Sequence, residues 1–411
     1  MTGDGLGARL RAALGPAITD GAGPVVVACS GGGDSVALLH LAADVFGADR
    51  LTAATVHHHL RAGAEDEIAL VARHAGGLGA AHRVLHWSWD GQGNLQAAAR
   101  EGRRALLSAL SAELGHAPVL LGHTRDDQAE TVLLRLARGS GVDGLAGMAA
   151  ADPPWHRPLL ATGRDELRGF LAGRGLDWAE DPSNDDPRFD RVRARRMMAA
   201  LSDLGLTPDR LARTADLMRG EAEVLAHAEV QALARMSPSL GDLTADADWF
   251  ADLPWALATR VLARVVRWYS GAPYKPRRDD LTRWREAIIA SETATLSGVI
   301  AVAGDGMLRF QREPAAAAPA TPAAPRRPTH WDHRWLLTPP AGAVAGLRVA
   351  ALGDGVAELP DWRGLGVPRR SLETTPAIWD GSRLVAAPFA GQSGGWTARL
   401  WPPFAAPGLS H

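Results

Sequence analysis

Residues 25–40 read VVVACSGGGDSVALLH, and their pattern decides the fold. Val25 to Cys29 is a short, uncharged run rich in β-branched residues, as in a strand buried on both faces. Ser30, Gly31, Gly32 and Gly33 then allow a tight turn, and an apolar helical pattern begins after Asp34 and Ser35. Glycines let main-chain amides approach a ligand closely, and the first turn of the following helix offers N–H groups without an intrahelical partner. Such a strand–turn–helix unit suits a phosphate. The lysine-containing loop G-x-x-x-x-G-K-[ST] is excluded, because Lys275 is the chain's only lysine. The G-x-G-x-x-G spacing of a dinucleotide fold is missing as well. The plain alternative is a structural turn with Ser30 or Asp34 capping the helix.

Outward from this unit, the strand-like runs LTAATVHHH (51–59), HRVLHWSW (82–89) and APVLLGH (117–123) alternate with helical patterns. That alternation predicts an open parallel α/β sheet. The pattern turns helical from about 200 to 295, and REPAAAAPATPAAPRRPTH (312–330) reads as a linker without apolar periodicity. The expected organisation is a catalytic domain over 1–205, a mainly helical domain over 206–312, a linker over 313–328 and a small mixed α/β module over 329–411. Within the last, LETTPAIWDGSRLVAAP (372–388) reads as two strands about an Asp380–Gly381 turn.

Of the 411 residues 46% are hydrophobic, and the formal net charge is -2. A lone cysteine, Cys29, excludes an internal disulfide and cysteine-based zinc or iron–sulfur sites, and fits a reducing compartment. With no signal-peptide core and no run near the roughly 18 apolar residues of a membrane span, the expectation is a soluble cytoplasmic protein. The run His57, His58 and His59 lies along a strand pattern without HExxH, which favours a structural or nucleotide-contacting role over metal.

A second constellation, GHTRDDQAETVLLRLARGSGVDGLAGM (122–148), follows the strand VLLGH and starts a helix near Asp126. Asp127 and Glu130 are three apart, so both carboxylates share one face of the first turn, at the sheet edge where open α/β folds bind ligands. Two acids there suit an ammonium. A Thr124–Asp127 capping box accounts for the aspartate equally well.

SGGGDS at 30–35 resembles the signature of the PP-loop ATP pyrophosphatases, which split ATP into AMP and pyrophosphate while activating an oxygen of a second substrate. The segment 122–148 is similar to that of tRNA(Ile)-lysidine synthetases, as are HHLRAGAEDE (58–67), GNLQAAAREGRRALL (93–107), RPLL (157–160) and EDPSNDDPRFDRVRARR (180–196). His59, Arg104 and Val192 depart from the usual Gly, Tyr and Asn. The resemblance implies a PP-loop domain that activates the 2-carbonyl of the wobble cytidine in the CAU anticodon of isoleucine tRNA with ATP, after which free lysine displaces AMP. It implies ATP at Ser30, Gly31, Gly32, Gly33, Asp34, Ser35 and His58, and Mg²⁺ on Asp34. Arg100, with Arg103 near it, would lie over the phosphates or the adenylated base. Lysine would meet Asp127 and Glu130, with Arg191 or Arg195 for its carboxylate or for RNA phosphate. The catalytic set is then Asp34, Arg100, Asp127 and Glu130. The lysine amine has a pKa of about 10.4 and attacks only when neutral, so Asp127, Glu130 or water must take its proton.

RNA needs local positive charge in a chain of net charge -2. Residues 188–196 carry five arginines, and residues 258–285 carry seven plus Lys275. Arg264, Arg267, Arg277 and Arg278 are the expected tRNA contacts, although each run alone also suits a solvated helix face. A homodimer is left open. The competing readings are another PP-loop tRNA-modifying enzyme, a thiolase, for which Cys29 is poorly placed, and a catalytically dead RNA-binding protein.

Overall fold

The valine run forms β1 (Val25–Ala28), wholly buried at the centre of a six-stranded sheet. The computed structural model describes residues 3–60, 63–180, 188, 190–359 and 361–404. The chain divides into two units, Met1–Glu223 and Val224–His411.

In the first unit β1 is joined by β2 (Leu51–His57), β3 (Ala81–His86), β4 (Val119–Leu121), β5 (Ala151–Asp152) and β6 (Trp155–His156), in the order β3-β2-β1-β4-β6-β5. All neighbours are parallel except β5 and β6. The helices are α1 (Gly3–Leu14), α2 (Pro16–Thr19), α3 (Gly33–Phe46), α4 (Ala64–Leu78), α5 (Leu95–Glu113), α6 (Arg125–Ala137), α7 (Val142–Leu145), α8 (Arg164–Gly173), α9 (Asp190–Ser202) and α10 (Pro208–Leu233). Val25 and Val27 pack with Leu38, Leu41 and Leu171 on one face of the sheet. Val26 and Ala28 pack with Leu107, Leu110 and Trp155 on the other. Both faces of β1 are therefore apolar, which is why its sequence shows no alternation.

Strand order reverses between β1 and β4, and the connections after these two strands open the crevice in which such sheets bind ligands. Gly122 allows the close approach there: a Cβ on it would lie 3.1 Å from the Asp34 carbonyl oxygen.

The second unit holds β7 (Ser237–Ser239), β8 (Asp242–Asp246), β9 (Ala294–Leu296), β10 (Val299–Gly304) and β11 (Met307–Arg312), an antiparallel sheet in the order β7-β8-β11-β10-β9. With them come α11 (Ala247–Ala251), α12 (Trp255–Ser270) and α13 (Arg278–Ile289). Val261, Leu262, Val265 and Trp284 pack there with Val299, Leu308 and Phe310. The stretch expected to be mainly helical thus contributes a five-stranded sheet. The missed signal is Asp305–Gly306, both at positive φ, which turns β10 into β11 with Gly304 opposite Met307.

The remaining elements are β12 (Thr321–Pro322), β13 (Thr329–Trp331), β14 (Trp335–Thr338), β15 (Arg348–Ala351), α14 (Arg369–Glu373), β16 (Pro376–Asp380), β17 (Arg383–Ala386) and β18 (Thr397–Leu400). They form sheets β12-β15-β16-β17 and β13-β14-β18. The hairpin expected at Asp380–Gly381 is present, with Asp380 opposite Arg383.

The Ala/Pro segment does not act as a linker. Thr321 and Pro322 pair with β15, Ala323 is buried, and Ala317 and Ala318 pack against the cluster of Trp331 and Trp335. Small side chains fit close to the indoles, so the segment packs without an apolar period. The division of the chain falls after Glu223, inside α10, and not at 205, 312 and 328.

Candidate active site

Gly31 has φ +89°, the left-handed region that favours glycine, and a Cβ on it would sit 3.4 Å from Glu67. Gly32 is the N-cap of α3 and no side chain caps the helix, so neither Ser30 nor Asp34 plays the structural role left open above. Ser35 Oγ donates to the Gly32 carbonyl at 2.9 Å and accepts from the Ser30 amide at 3.2 Å, bracing the turn from inside. From outside, the Ala179 amide donates to the Gly31 carbonyl at 2.9 Å, and Trp178 lies 3.4 Å from where a Gly33 Cβ would project. A braced, uncapped first turn is an anion cradle.

Facing it, α6 opens with Asp126 and Asp127, followed by Glu130. The capping box exists: the Thr124 amide donates to Asp127 Oδ2 at 2.8 Å, and the Asp127 amide donates to Thr124 Oγ1 at 3.3 Å. It uses one carboxylate oxygen. Oδ1 accepts from Arg164 Nη2 at 3.1 Å, so one side chain caps the helix and also faces the crevice. Arg164 Nε donates to Asp34 Oδ2 at 3.3 Å, and its Nη1 lies 3.6 Å from Glu130 Oε1. The Arg164 backbone amide donates to Asp126 Oδ2 at 2.8 Å. One guanidinium thus holds Asp34 of the phosphate loop together with Asp127 and Glu130 of α6.

The charges shift accordingly. Burial pushes the Asp34 carboxyl up from 3.8 to about 6, with Arg164 opposing and Asp127 and Asp126 adding to the rise. At Asp127 burial also favours the neutral form, but Arg164, the Thr124 amide and His123 outweigh it and hold the carboxyl below its ordinary value. Desolvation acts against the Arg164 charge, and its ring of carboxylates more than restores it. Burial lowers His123 to about 4, leaving it a neutral imidazole.

Glu130 is buried; its Oε1 accepts from Arg195 Nε at 3.0 Å, while Oε2 has no hydrogen-bond partner. A cavity of about 1220 Å³ is lined by Ser30, Gly32, Asp34, Asp127, Arg164 and Arg191 among others. Arg100 lines a different cavity of about 230 Å³, with His58, Arg103 and His123. His58 also lines a third, of about 290 Å³, beside Ser30 and His57. The structure therefore brings Asp34, Asp127, Glu130 and Arg195 together and sets Arg100 and His58 to one side. Cys29 is buried and burial pushes its thiol up, so it offers no thiolate for thiolase chemistry.

Arg264 is a correction. It is 4% exposed and donates through Nε and Nη2 to the Phe404 carbonyl at 3.3 and 3.0 Å, so it is turned away from solvent and from any phosphate. Arg267 is half-buried, with Nε donating to the Ala272 carbonyl at 3.4 Å. Arg277 and Arg278 are exposed, the latter stacked 4.3 Å above the Trp255 ring.

Sequence reasoning missed Arg164 and gave Asp126 no role of its own. Arg164 comes four residues after the end of RPLL and begins α8, and nothing in its spacing marks it; only the fold carries it to α6. Of the motifs read from sequence, residues 61–62, 181–187 and 189 lie outside the described residues.

A family model for the PP-loop domain matches residues 8–201. The tRNA(Ile)-lysidine synthase of Ruegeria pomeroyi is 42% identical over 385 residues, covering 91% of this chain and 90% of that one. That of Methylobacterium nodulans is 42% identical over 325 residues, covering 74% of this chain and 94% of its own. That of Nocardia farcinica is 41% identical over 289 residues, covering 69% and 87%. With such identity running along nine-tenths of both chains in the first of these, the chain belongs to the tRNA(Ile)-lysidine synthase family.

Proposed function

We propose that this ATP-dependent ligase joins free lysine to C2 of the wobble cytidine in a CAU-anticodon isoleucine tRNA, and that the cluster around Arg164 is where lysine enters. The observation that carries this is an anion cradle opening on a cavity that Asp34 and Asp127 line, with Arg164 joining these two to the buried Glu130. Phosphates suit the cradle and a cation suits the carboxylates.

In the first half-reaction the cytidine 2-oxygen attacks the α-phosphorus of ATP and pyrophosphate leaves toward the amides of residues 30–35. Asp34 is a hard oxygen donor that burial strips of solvent, with Asp126 near it, so these residues fit Mg²⁺. Bound there, the ion would neutralise phosphate charge. In the second half-reaction the lysine side-chain amine attacks C2 and AMP leaves.

Asp127 lines the cavity, and Glu130, joined to it through Arg164, keeps a buried Oε2 without a hydrogen-bond partner, so these two carboxylates are the acceptors assigned to the lysine ammonium. The amine must shed a proton before attack, and a carboxylate at hydrogen-bond distance receives it most directly. Arg191, exposed on the cavity wall, is placed for the lysine carboxylate or an RNA phosphate. Among the described residues no helix is long and apolar enough to cross a membrane.

Incubation with ATP, labelled lysine and CAU-anticodon isoleucine tRNA tests the reading. Label in RNA, matched by AMP release, is the expected result. AMP release without label in RNA would contradict it.

A further inference from the structure

Three histidines apart from the carboxylate cluster converge where two strands end. His57 closes β2 and His86 closes β3, directly opposite each other in parallel register. His59 follows two residues after His57 with φ +56°, in the left-handed region. One ring nitrogen from each of the three lies within 4.8 Å of the other two. His59 Nε2 and His86 Nδ1 are 3.0 Å apart with their rings stacked, and the His57 ring centre is 3.8 Å from that of His59. Glu65 Oε1, on the first turn of α4, is 3.8 Å from His57 Nε2.

We propose that His57, His59 and His86 form a binding site for a divalent ion of the zinc class, with Glu65 or water as the fourth ligand. Three imidazoles with one further position is a common zinc set, and zinc–nitrogen bonds of about 2.0–2.1 Å put tetrahedral ligand atoms roughly 3.4 Å apart. The present spacing reaches that by small ring rotations, which the exposed His59 and His86 are free to make. A hydrogen bond between His59 and His86 needs only two rings, one donating and one accepting, and does not by itself bring a nitrogen of the third, His57, to the same point. Imidazole favours zinc, nickel or copper over magnesium, so this site is chemically distinct from the carboxylates at Asp34.

Its position gives the ion a structural task. His57 and His59 line the cavity that also contains Ser30 and His58, so an ion would tie the ends of β2 and β3 to the start of α4 along one wall of that cavity. No step of the ligase chemistry passes through it.

The test uses the full chain without a histidine tag, stripped with a chelator and dialysed against zinc in excess Mg²⁺, with bound metal measured by elemental analysis. The expected result is about one zinc per chain at micromolar free zinc. Affinity should fall roughly tenfold or more in His59→Gln and in His86→Gln. His330→Gln, in the second unit, should bind as the parent does. Cobalt in place of zinc should give the strong visible absorption of a four-coordinate ion. Failure to retain zinc at that concentration, or retention that neither replacement weakens, would overturn the proposal.

Discussion

Asp34 is a carboxyl held against its preference. Its native value of about 6 lies above the unfolded 3.8, so ionising it costs the fold stability, and that cost appears as pH rises through this window. A cation at the site relieves the cost, and protons compete with it. Mg²⁺-dependent ATP binding, measured by titration between pH 5 and 8, should therefore weaken below about pH 6. A Mg²⁺ contribution indifferent to pH across that range would contradict the assignment. Arg164 is the converse case, a charge that its neighbours need. Arg164→Ala removes the countercharge shared by Asp34 and Asp127, leaves Glu130 with Arg195 alone, and should destabilise the first unit by about 3 kcal/mol in chemical denaturation. A loss under about 1 kcal/mol would show that the acids are already solvated. Asp34, Asp127 and Glu130 were legible in the sequence because each lies within a few residues of a strand-to-helix turn, where local chemistry is written locally. Arg164 was not legible, since its role depends on where α8 begins in space.

At the scale of elements, the Ala/Pro segment shows how far packing departs from composition. Asp332 accepts from the Ala318 amide at 3.0 Å and from Arg312 Nη2 at 3.0 Å, and lies 3.4 Å from Arg334 Nε. All three charged side chains are buried. Asp332→Ala would strand two buried guanidinium groups, and a loss of about 3–5 kcal/mol from the second unit is expected in a denaturant titration. A near-neutral effect would show that the two guanidinium groups are held by their backbone carbonyl partners without Asp332. Strands β1 to β4 were readable as short strand-like runs alternating with helical patterns, and the β16–β17 hairpin from its D-G turn. The β10–β11 hairpin carries the same D-G signal but was obscured by the helical patterns before it. Strands of three to six residues, such as β7 to β9, hold too few positions for alternation to stand out.

The whole chain must hold a macromolecule as well as two small substrates. Arg277 and Arg278 remain the exposed candidates for RNA phosphate once Arg264 is set aside. Replacing both with alanine should weaken tRNA binding and flatten its log–log salt dependence by roughly one unit per lost contact, with ATP affinity unchanged. An unaltered slope would make them a solvated face. The central claim is that lysine is bound by the α6 acids while ATP is held by the loop of residues 30–35, and Glu130→Gln separates these most directly. With ATP, CAU-anticodon isoleucine tRNA and labelled lysine, adenylation and label transfer are followed together as lysine is varied. The amide keeps the shape of Glu130 and removes a charge-assisted hydrogen bond of about 1.5–3 kcal/mol, so the lysine KM should rise roughly 10- to 100-fold. Adenylated tRNA should accumulate when lysine is scarce. An unchanged lysine KM with adenylation abolished would place Glu130 with the phosphates and the metal, and would contradict this account of the site.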